Sequence, residues 1–243
     1  MNLGRRVLTA LVALPPLLLA IFAGPPWLGV TLVGLAALVG LFEFYGFLRA
    51  RGLKPLRRTG LVLSALLFFD VALPHGQRWP LWPLGVLLLL MVTLRRGADF
   101  DETVPAAAGS VLGAVYLGAL GGTIAALRTL APVEQGAWRL TLLLAVIMGS
   151  DTVAFFVGSA WGHRRLAPQV SPNKTVEGAL GGLLGGVLGA LAVRHLGLPG
   201  IPLVHAIGLG VLVAGLGIVG DLDESLLKRW AGCGSREPAL PGS

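Results

Sequence analysis

Long apolar runs with few or no charges recur along this chain, and they constrain its fold more than any other feature. A helix needs about 20 mostly apolar residues to cross the hydrocarbon core of a bilayer. In lipid its backbone groups must be satisfied within the segment, which favours helices over open sheets. Eight such runs are read as spans: Val7–Gly24, Trp27–Leu48, Gly60–Pro74, Trp79–Leu94, Val104–Leu127, Leu140–Gly158, Val176–Leu196 and Ile201–Val219. Only 13% of the residues are charged and the mean hydropathy is +0.80, so most of these runs lack the polar face that a water-soluble helix needs. The expected fold class is all-α, a polytopic integral membrane protein with about eight transmembrane helices. The third and fourth runs are short for a full crossing.

The formal charge of +7 is a topology signal. With a cytosolic amino terminus and eight spans, the inside segments hold 15 of the 19 Lys and Arg residues. The outside segments hold Arg78, Arg128, Arg139 and Arg194. This is the positive-inside bias, so the basic residues need no nucleic-acid partner. The first run, after Arg5 and Arg6, is read as an uncleaved span because that reading yields the asymmetry; Ala20–Ala23 is a weak cleavage site for a signal peptide. The single cysteine, Cys233, excludes an intrachain disulfide and a thiolate metal cage. The four histidines are scattered, without a pair at ligand spacing.

Two regions of one continuous membrane domain differ in character: 1–135 is a membrane-span region, and 136–243 carries most of the polar residues of interest. No internal repeat is visible, which argues against the inverted-repeat plan of many transporters. The glycines of the seventh span, among them Gly181, Gly185 and Gly189 at a spacing of four, are read as a close-packing surface. Glu43 either pairs with Arg49 or belongs to a site, and the two readings are even; Asp70 is read as reaching water at the end of its span.

Three segments point to chemistry. Gly149-Ser150-Asp151-Thr152 places polar side chains inside an apolar helix, where they should face protein, water or ligand. The loop Val170-Ser171-Pro172-Asn173-Lys174-Thr175-Val176-Glu177-Gly178 is expected to break regular structure at Ser171-Pro172. Asn173 or Thr175 would then cap the next helix, whose amino terminus, with Lys174 beside it, suits a phosphate. In Gly220-Asp221-Leu222-Asp223-Glu224-Ser225-Leu226-Leu227-Lys228-Arg229, a continued helix puts Asp221, Glu224, Ser225 and Lys228 on one face. That face suits a hard divalent cation and a phosphate, and equally a solvated helix with a Glu224–Lys228 pair.

In this order the segments resemble the phosphatidate cytidylyltransferase (CDP-diacylglycerol synthase) family. The likeness is carried by Ser150-Asp151-Thr152 with Phe155, Phe156 and Gly158, by Ser171-Pro172-Asn173-Lys174-Thr175 with Glu177-Gly178 and Gly181-Gly182, and by Gly220-Asp221-Leu222 with Glu224-Ser225 and Lys228-Arg229. Glu43-Phe44-Tyr45 adds a weaker likeness in the first half. The resemblance implies transfer of a cytidylyl group from CTP to phosphatidic acid, giving CDP-diacylglycerol and pyrophosphate, with Mg2+ as the metal and the bilayer as the setting. It implies Asp221 as metal ligand, Asp151 as a residue orienting substrate or supporting the metal, and Lys174 and Lys228 as phosphate contacts. Ser150, Ser171, Asn173, Thr175, Glu177, Glu224, Ser225 and Arg229 follow as substrate-binding or supporting residues. The expected setting is a bacterial cytoplasmic membrane with the amino terminus and the site facing the cytosol; a homodimer is compatible with it.

The family's further motifs are not read after Arg229. There the family continues with a Lys-Asp pair, a Pro-Gly-His-Gly-Gly turn and an Asp-Arg-x-Asp stretch, whereas this chain runs from Trp230 to Ser243 without a counterpart of the second metal-binding aspartate. The expectation is a truncation or frameshift near Gly232, with weakened metal binding and little or no turnover. The competing classes are a transporter, a non-catalytic membrane scaffold, and a CTP-dependent enzyme acting on another lipid.

Overall fold

The computed structural model describes residues 15–73, 81–95 and 99–232. Almost all of them are helical. Residues 15–22 form a helical segment, followed by α1 (Pro26–Ala50), α2 (Arg57–Ala72), α3 (Trp82–Arg95) and α4 (Phe100–Gly113). A π-helical stretch, Ala114–Ala119, joins α4 to α5 (Leu120–Thr129) without a break. A short 3-10 turn, Val133–Gln135, then leads into α6 (Gly136–Trp161). The antiparallel strands β1 (Arg165–Ala167) and β2 (Ser171–Thr175) follow, and α7 (Val176–Gly197) and α8 (Leu203–Trp230) complete the described chain.

Among the described residues, five helical stretches are long and apolar enough to cross a membrane: Pro26–Ala50, Phe100–Thr129, Val133–Trp161, Val176–Gly197 and Leu203–Trp230. They coincide with the second, fifth, sixth, seventh and eighth expected spans. The third and fourth correspond to α2 and α3, helices of 16 and 14 residues, too short for an untilted crossing. The first expected span lies largely outside the described residues. The protein is an all-α polytopic integral membrane protein.

The chain forms two compact units. One contains the described residues up to Glu43 together with Pro55–Thr141, and the other contains Phe44–Lys54 with the chain from Leu142 onwards. In the first unit, Leu56, Leu63, Leu89 and Ala114 form one apolar cluster, and Val30, Phe68, Ala72 and Ala125 another. Ser110 is fully buried there, and its hydroxyl serves two backbone groups. It donates to Ala106 O at 2.7 Å and accepts from Leu56 N at 2.7 Å. A buried polar atom in this setting requires such pairing.

The second unit is built on the glycine face of α7. A Cβ on Gly185 would lie 2.3 Å from Gly149 O, and one on Gly189 would lie 2.4 Å from Ala145 O, both backbone atoms of α6. On the α8 side, a Cβ on Gly186 would meet Ala214 Cβ at 2.6 Å. Leu180, Leu184 and Leu188, on the opposite face of α7, are 59–66% exposed. Lipid is as apolar as leucine, so large side chains gain little by facing inward; small residues that let backbones approach gain van der Waals contact. The glycines are therefore packing residues, as expected. Val146, Ala190 and Ala214 form the apolar centre of this unit.

The β-hairpin departs from the expectation that Ser171-Pro172 breaks regular structure. Arg165 pairs with Thr175 and Ala167 with Ser171, with an irregular register between them. Proline lacks a backbone donor, and a two-stranded ribbon leaves each strand an unpaired edge on which it can sit. Pro172 thus fits on the edge of β2.

Candidate active site

The second unit brings the three polar segments together, one charge from each. Asp151 comes from α6, Lys174 from β2 and Asp221 from α8. Lys174 Nζ lies 2.6 Å from Asp221 Oδ2. The Asp151 carboxylate interacts electrostatically with both, attracted by Lys174 and repelled by Asp221. The ammonium nitrogen is closed off from solvent and has no aligned hydrogen bond, so its contact with Asp221 is one of charge. Asp221 itself is 58% exposed, leaving its carboxylate open to a ligand.

Local sequence explains this placement. Lys174 immediately precedes Thr175, the residue that caps α7: its hydroxyl accepts from Gly178 N at 3.1 Å. Of the two candidate caps, Thr175 takes the role, and Asn173 stays exposed on β2. A Thr cap stabilises a helix start by about 1 kcal/mol. Here it also sets where the strand ends and where Lys174 projects. The Glu177 carboxylate accepts from His163 N at 3.1 Å and from Arg164 N at 3.2–3.3 Å, tying the entry of the hairpin to the first turn of α7. This accounts for an acid at the head of a glycine-rich span. At this helix start the Gly178 N–H is taken by the Thr175 cap, and the Glu177 carboxylate stands beside it.

Helix α8 continues without a break through Trp230, so Asp221, Glu224, Ser225 and Lys228 do share a face. The Ser225 hydroxyl donates to Asp221 O at 2.8 Å, and Lys228 pairs with Glu224 one turn away. A phosphate recruiting Lys228 would therefore compete with Glu224. Ser150 is buried at 4% exposure where α6 meets Gly182 of α7, while the Thr152 hydroxyl donates to Met148 O at 2.6 Å. Ser171 is half-buried at the start of β2, and Arg229 is exposed near the end of α8. Glu43 and Asp70 belong to the first unit. Cys233 and the rest of the tail lie outside the described residues.

Reading by spacing missed Arg51, which the charge pattern explains as one more inside-facing cation. Its Nε donates to the backbone carbonyl of Trp230, and its guanidinium lies over the Trp230 ring, 5.5 Å from the centroid. The loop after α1 is thus clipped to the end of α8, the helix that carries Asp221. No local signal could find this, since the two residues are 179 positions apart. Arg51→Ala removes an exposed cation–π contact and a cap on a helix-end carbonyl, each worth about 1 kcal/mol. Amide exchange at residues 227–230 should therefore accelerate up to about thirtyfold, measured by hydrogen exchange with mass spectrometry. Arg51→Lys should restore only part of the protection, because an ammonium lacks the planar fork that stacks and donates together.

Among the described residues no group of three or more His, Cys, Asp and Glu side chains could hold a metal ion by itself. Two exposed carboxylates, Asp151 and Asp221, suit a different donor set. Magnesium takes one or two carboxylates and fills its remaining positions with water and substrate phosphates. The residues present fit that ion and do not fit a closed zinc cage.

The family model described as the cytidylyltransferase family matches residues 4–242. The chain is 28% identical over 252 residues to the phosphatidate cytidylyltransferase of Bacillus subtilis, covering 99% of this chain and 90% of that protein. It is 27% identical over 281 residues to the enzyme of the same name from Haemophilus influenzae, covering 99% and 91%. With the one from Brucella abortus it shares 32% identity over 250 residues, covering 99% and 85%. With a match across nearly its whole length, and with all three polar segments inside it, the chain belongs to the cytidylyltransferase family.

Proposed function

We propose that this chain transfers the cytidylyl group of CTP to phosphatidic acid, releasing pyrophosphate and forming CDP-diacylglycerol at the cytosolic face of a bacterial cytoplasmic membrane. The observation that carries this reading is the convergence of Asp151, Lys174 and Asp221 from three segments onto one cluster of the membrane helices. The names of the relatives support the substrates, and the charge asymmetry of the loops supports the orientation.

The chemistry asks little of the protein by way of a nucleophile. A phosphate oxygen of the lipid attacks the α-phosphorus of CTP in line, the bond to the bridging oxygen breaks, and pyrophosphate departs. The protein must hold two polyanions together and offset the charge that builds as they meet. Asp221, supported by Asp151, would hold Mg2+, which would neutralise phosphate charge when bound. Lys174, Lys228 and Arg229 supply fixed positive charge around it. Glu177 and Thr175 act at one remove, fixing the hairpin that carries Lys174. The lipid reaches the site sideways from the bilayer, and CTP arrives from water.

The test is an assay of membranes in which this chain is the sole cytidylyltransferase, given radiolabelled CTP and phosphatidic acid. Chloroform-extractable label that requires both substrates is the expected result. It would also overturn the expectation of little or no turnover drawn from the residues after Arg229. If label stays at the level of empty membranes while the Bacillus subtilis protein gives robust incorporation, the proposal is wrong.

A further inference from the structure

We infer that Lys174 is a built-in counter-ion holding the place of the divalent cation, so that the cluster admits a metal arriving with nucleotide phosphates and resists the free ion. This rests on the function proposed above and adds an order of binding to it.

The argument starts from charge. Asp151 and Asp221 repel each other, and Lys174 attracts Asp151 while sitting 2.6 Å from Asp221. Two nearby carboxylates without a cation destabilise each other's charged forms. The ammonium relieves that repulsion and leaves the trio with a formal charge of −1. Burial gives the second line of support. A lysine beside a membrane interface ordinarily extends its stem to keep the ammonium in water. Here the Asp221 side chain is 58% exposed, yet Lys174 Nζ is closed off from solvent and turned onto that carboxylate. The cation is held in the site although water lies within reach of its partner.

A free divalent ion approaching Asp221 would have to share that carboxylate with the ammonium. Both are cations, and at such range their repulsion is large compared with thermal energy. A metal carried on a triphosphate meets a different balance, since the phosphates offer the displaced ammonium a new acceptor. Lys174 would then move from carboxylate to phosphate, freeing the Asp221 carboxylate to hold the metal. Its location at the end of β2, one residue before the Thr175 cap, anchors the backbone while the long side chain moves. The Glu224–Lys228 pair on the same face of α8 gives the cluster a second cation near the incoming phosphates.

The experiment uses the full chain in detergent with manganese(II) as the metal probe, read by loss of the free-ion paramagnetic resonance signal beyond that in a chain-free sample with the same CTP, which itself chelates manganese. CTP is added without any lipid acceptor. For the unaltered chain, CTP should tighten manganese binding by about tenfold or more. Lys174→Met should bind manganese about tenfold more tightly than the unaltered chain when nucleotide is absent. Lys174→Arg, which keeps the charge, should retain the dependence on CTP. Equal affinity for manganese with and without CTP in the unaltered chain overturns the inference, and that measurement needs no variant to fold. Unchanged nucleotide-free affinity in Lys174→Met, with an unaltered size-exclusion profile, also overturns it and leaves the proposed function standing. Absence of manganese and CTP binding in every version overturns both.

Discussion

Asp221→Asn should abolish CDP-lipid formation, with a loss on the order of a thousandfold, comparable to deleting a principal charge-stabilising group in other active sites. The substitution keeps shape and removes one negative charge, so the helix that carries it should persist. Two functions end together. The open carboxylate proposed to take the metal is gone, and Lys174 Nζ, closed off from solvent, loses the partner 2.6 Å away. A buried cation deprived of its counter-charge is unfavourable, so the hairpin should loosen as well. Asp223→Asn is the comparison. Asp223 lies two residues further along α8, exposed and turned from the face shared by Asp221, Ser225 and Lys228. Its activity should stay within a few-fold of the unaltered chain. Rates of labelled CTP entering lipid measure both variants, and thermal unfolding in detergent separates lost chemistry from lost fold. Comparable activity in the two variants would remove Asp221 from the proposed mechanism.

Gly185→Leu should prevent the second unit from assembling. Even one added carbon at Gly185 would sit 2.3 Å from Gly149 O and 2.8 Å from Gly149 C, so the obstacle is backbone. Val153 Cβ, 2.8 Å away, blocks a sideways escape. Helix α7 would have to withdraw from α6, opening the contacts at Gly149 and Gly189 with it. Overpacking of a well-packed core costs about 1–3 kcal/mol for a few added methylenes when side chains can yield. Here they cannot, so Gly185→Ala should already reach the upper part of that range, and Gly185→Leu should exceed it. Because α6 carries Asp151 and α7 follows Lys174, the same separation should disperse the charge cluster. Gly208→Ala and Gly217→Ala are the controls: nothing lies within 4 Å of either added Cβ, and alanine favours helix by up to about 1 kcal/mol. Size-exclusion yield and thermal aggregation should rank the alanine controls above the unaltered chain and both Gly185 variants below it. A stable, active Gly185→Leu would refute the close approach of these helices.

The contrast between these glycines shows how far the sequence could be read. The spacing of Gly181, Gly185 and Gly189 marked α7 as a packing helix, because a row of small residues has few other uses in lipid. The same sequence contains Gly208 and Gly217, which line nothing closely. Composition alone cannot tell the two sets apart, since what matters is whether another backbone lies opposite. The hairpin taught a similar lesson. Ser171-Pro172 reads as a break, but a two-stranded ribbon has an edge that tolerates proline. Glu177 had no assignment from spacing; its partners are the amides of His163 and Arg164, reached only once the ribbon folds back.

The membrane class, the helical fold and the identity of the three polar segments were determined by the sequence itself. The physical reason is that lipid leaves few choices: apolar runs must be helices, and a charge among them must serve a purpose or find a partner. What only the tertiary structure decided was which of those charges meet. Lys174 and Asp221 are far apart in the chain, and both read equally well as solvated ends of membrane helices. Their ion pair depends on how α6, α7 and α8 pack around a face of glycines, and the clip of Arg51 onto Trp230 joins residues 179 positions apart. Such contacts are set by packing across long sequence separations, which no local spacing encodes. The cluster proposed as the site exists because backbone approach at Gly149, Gly185 and Gly189 lets α6 and α7 lie close enough to share it.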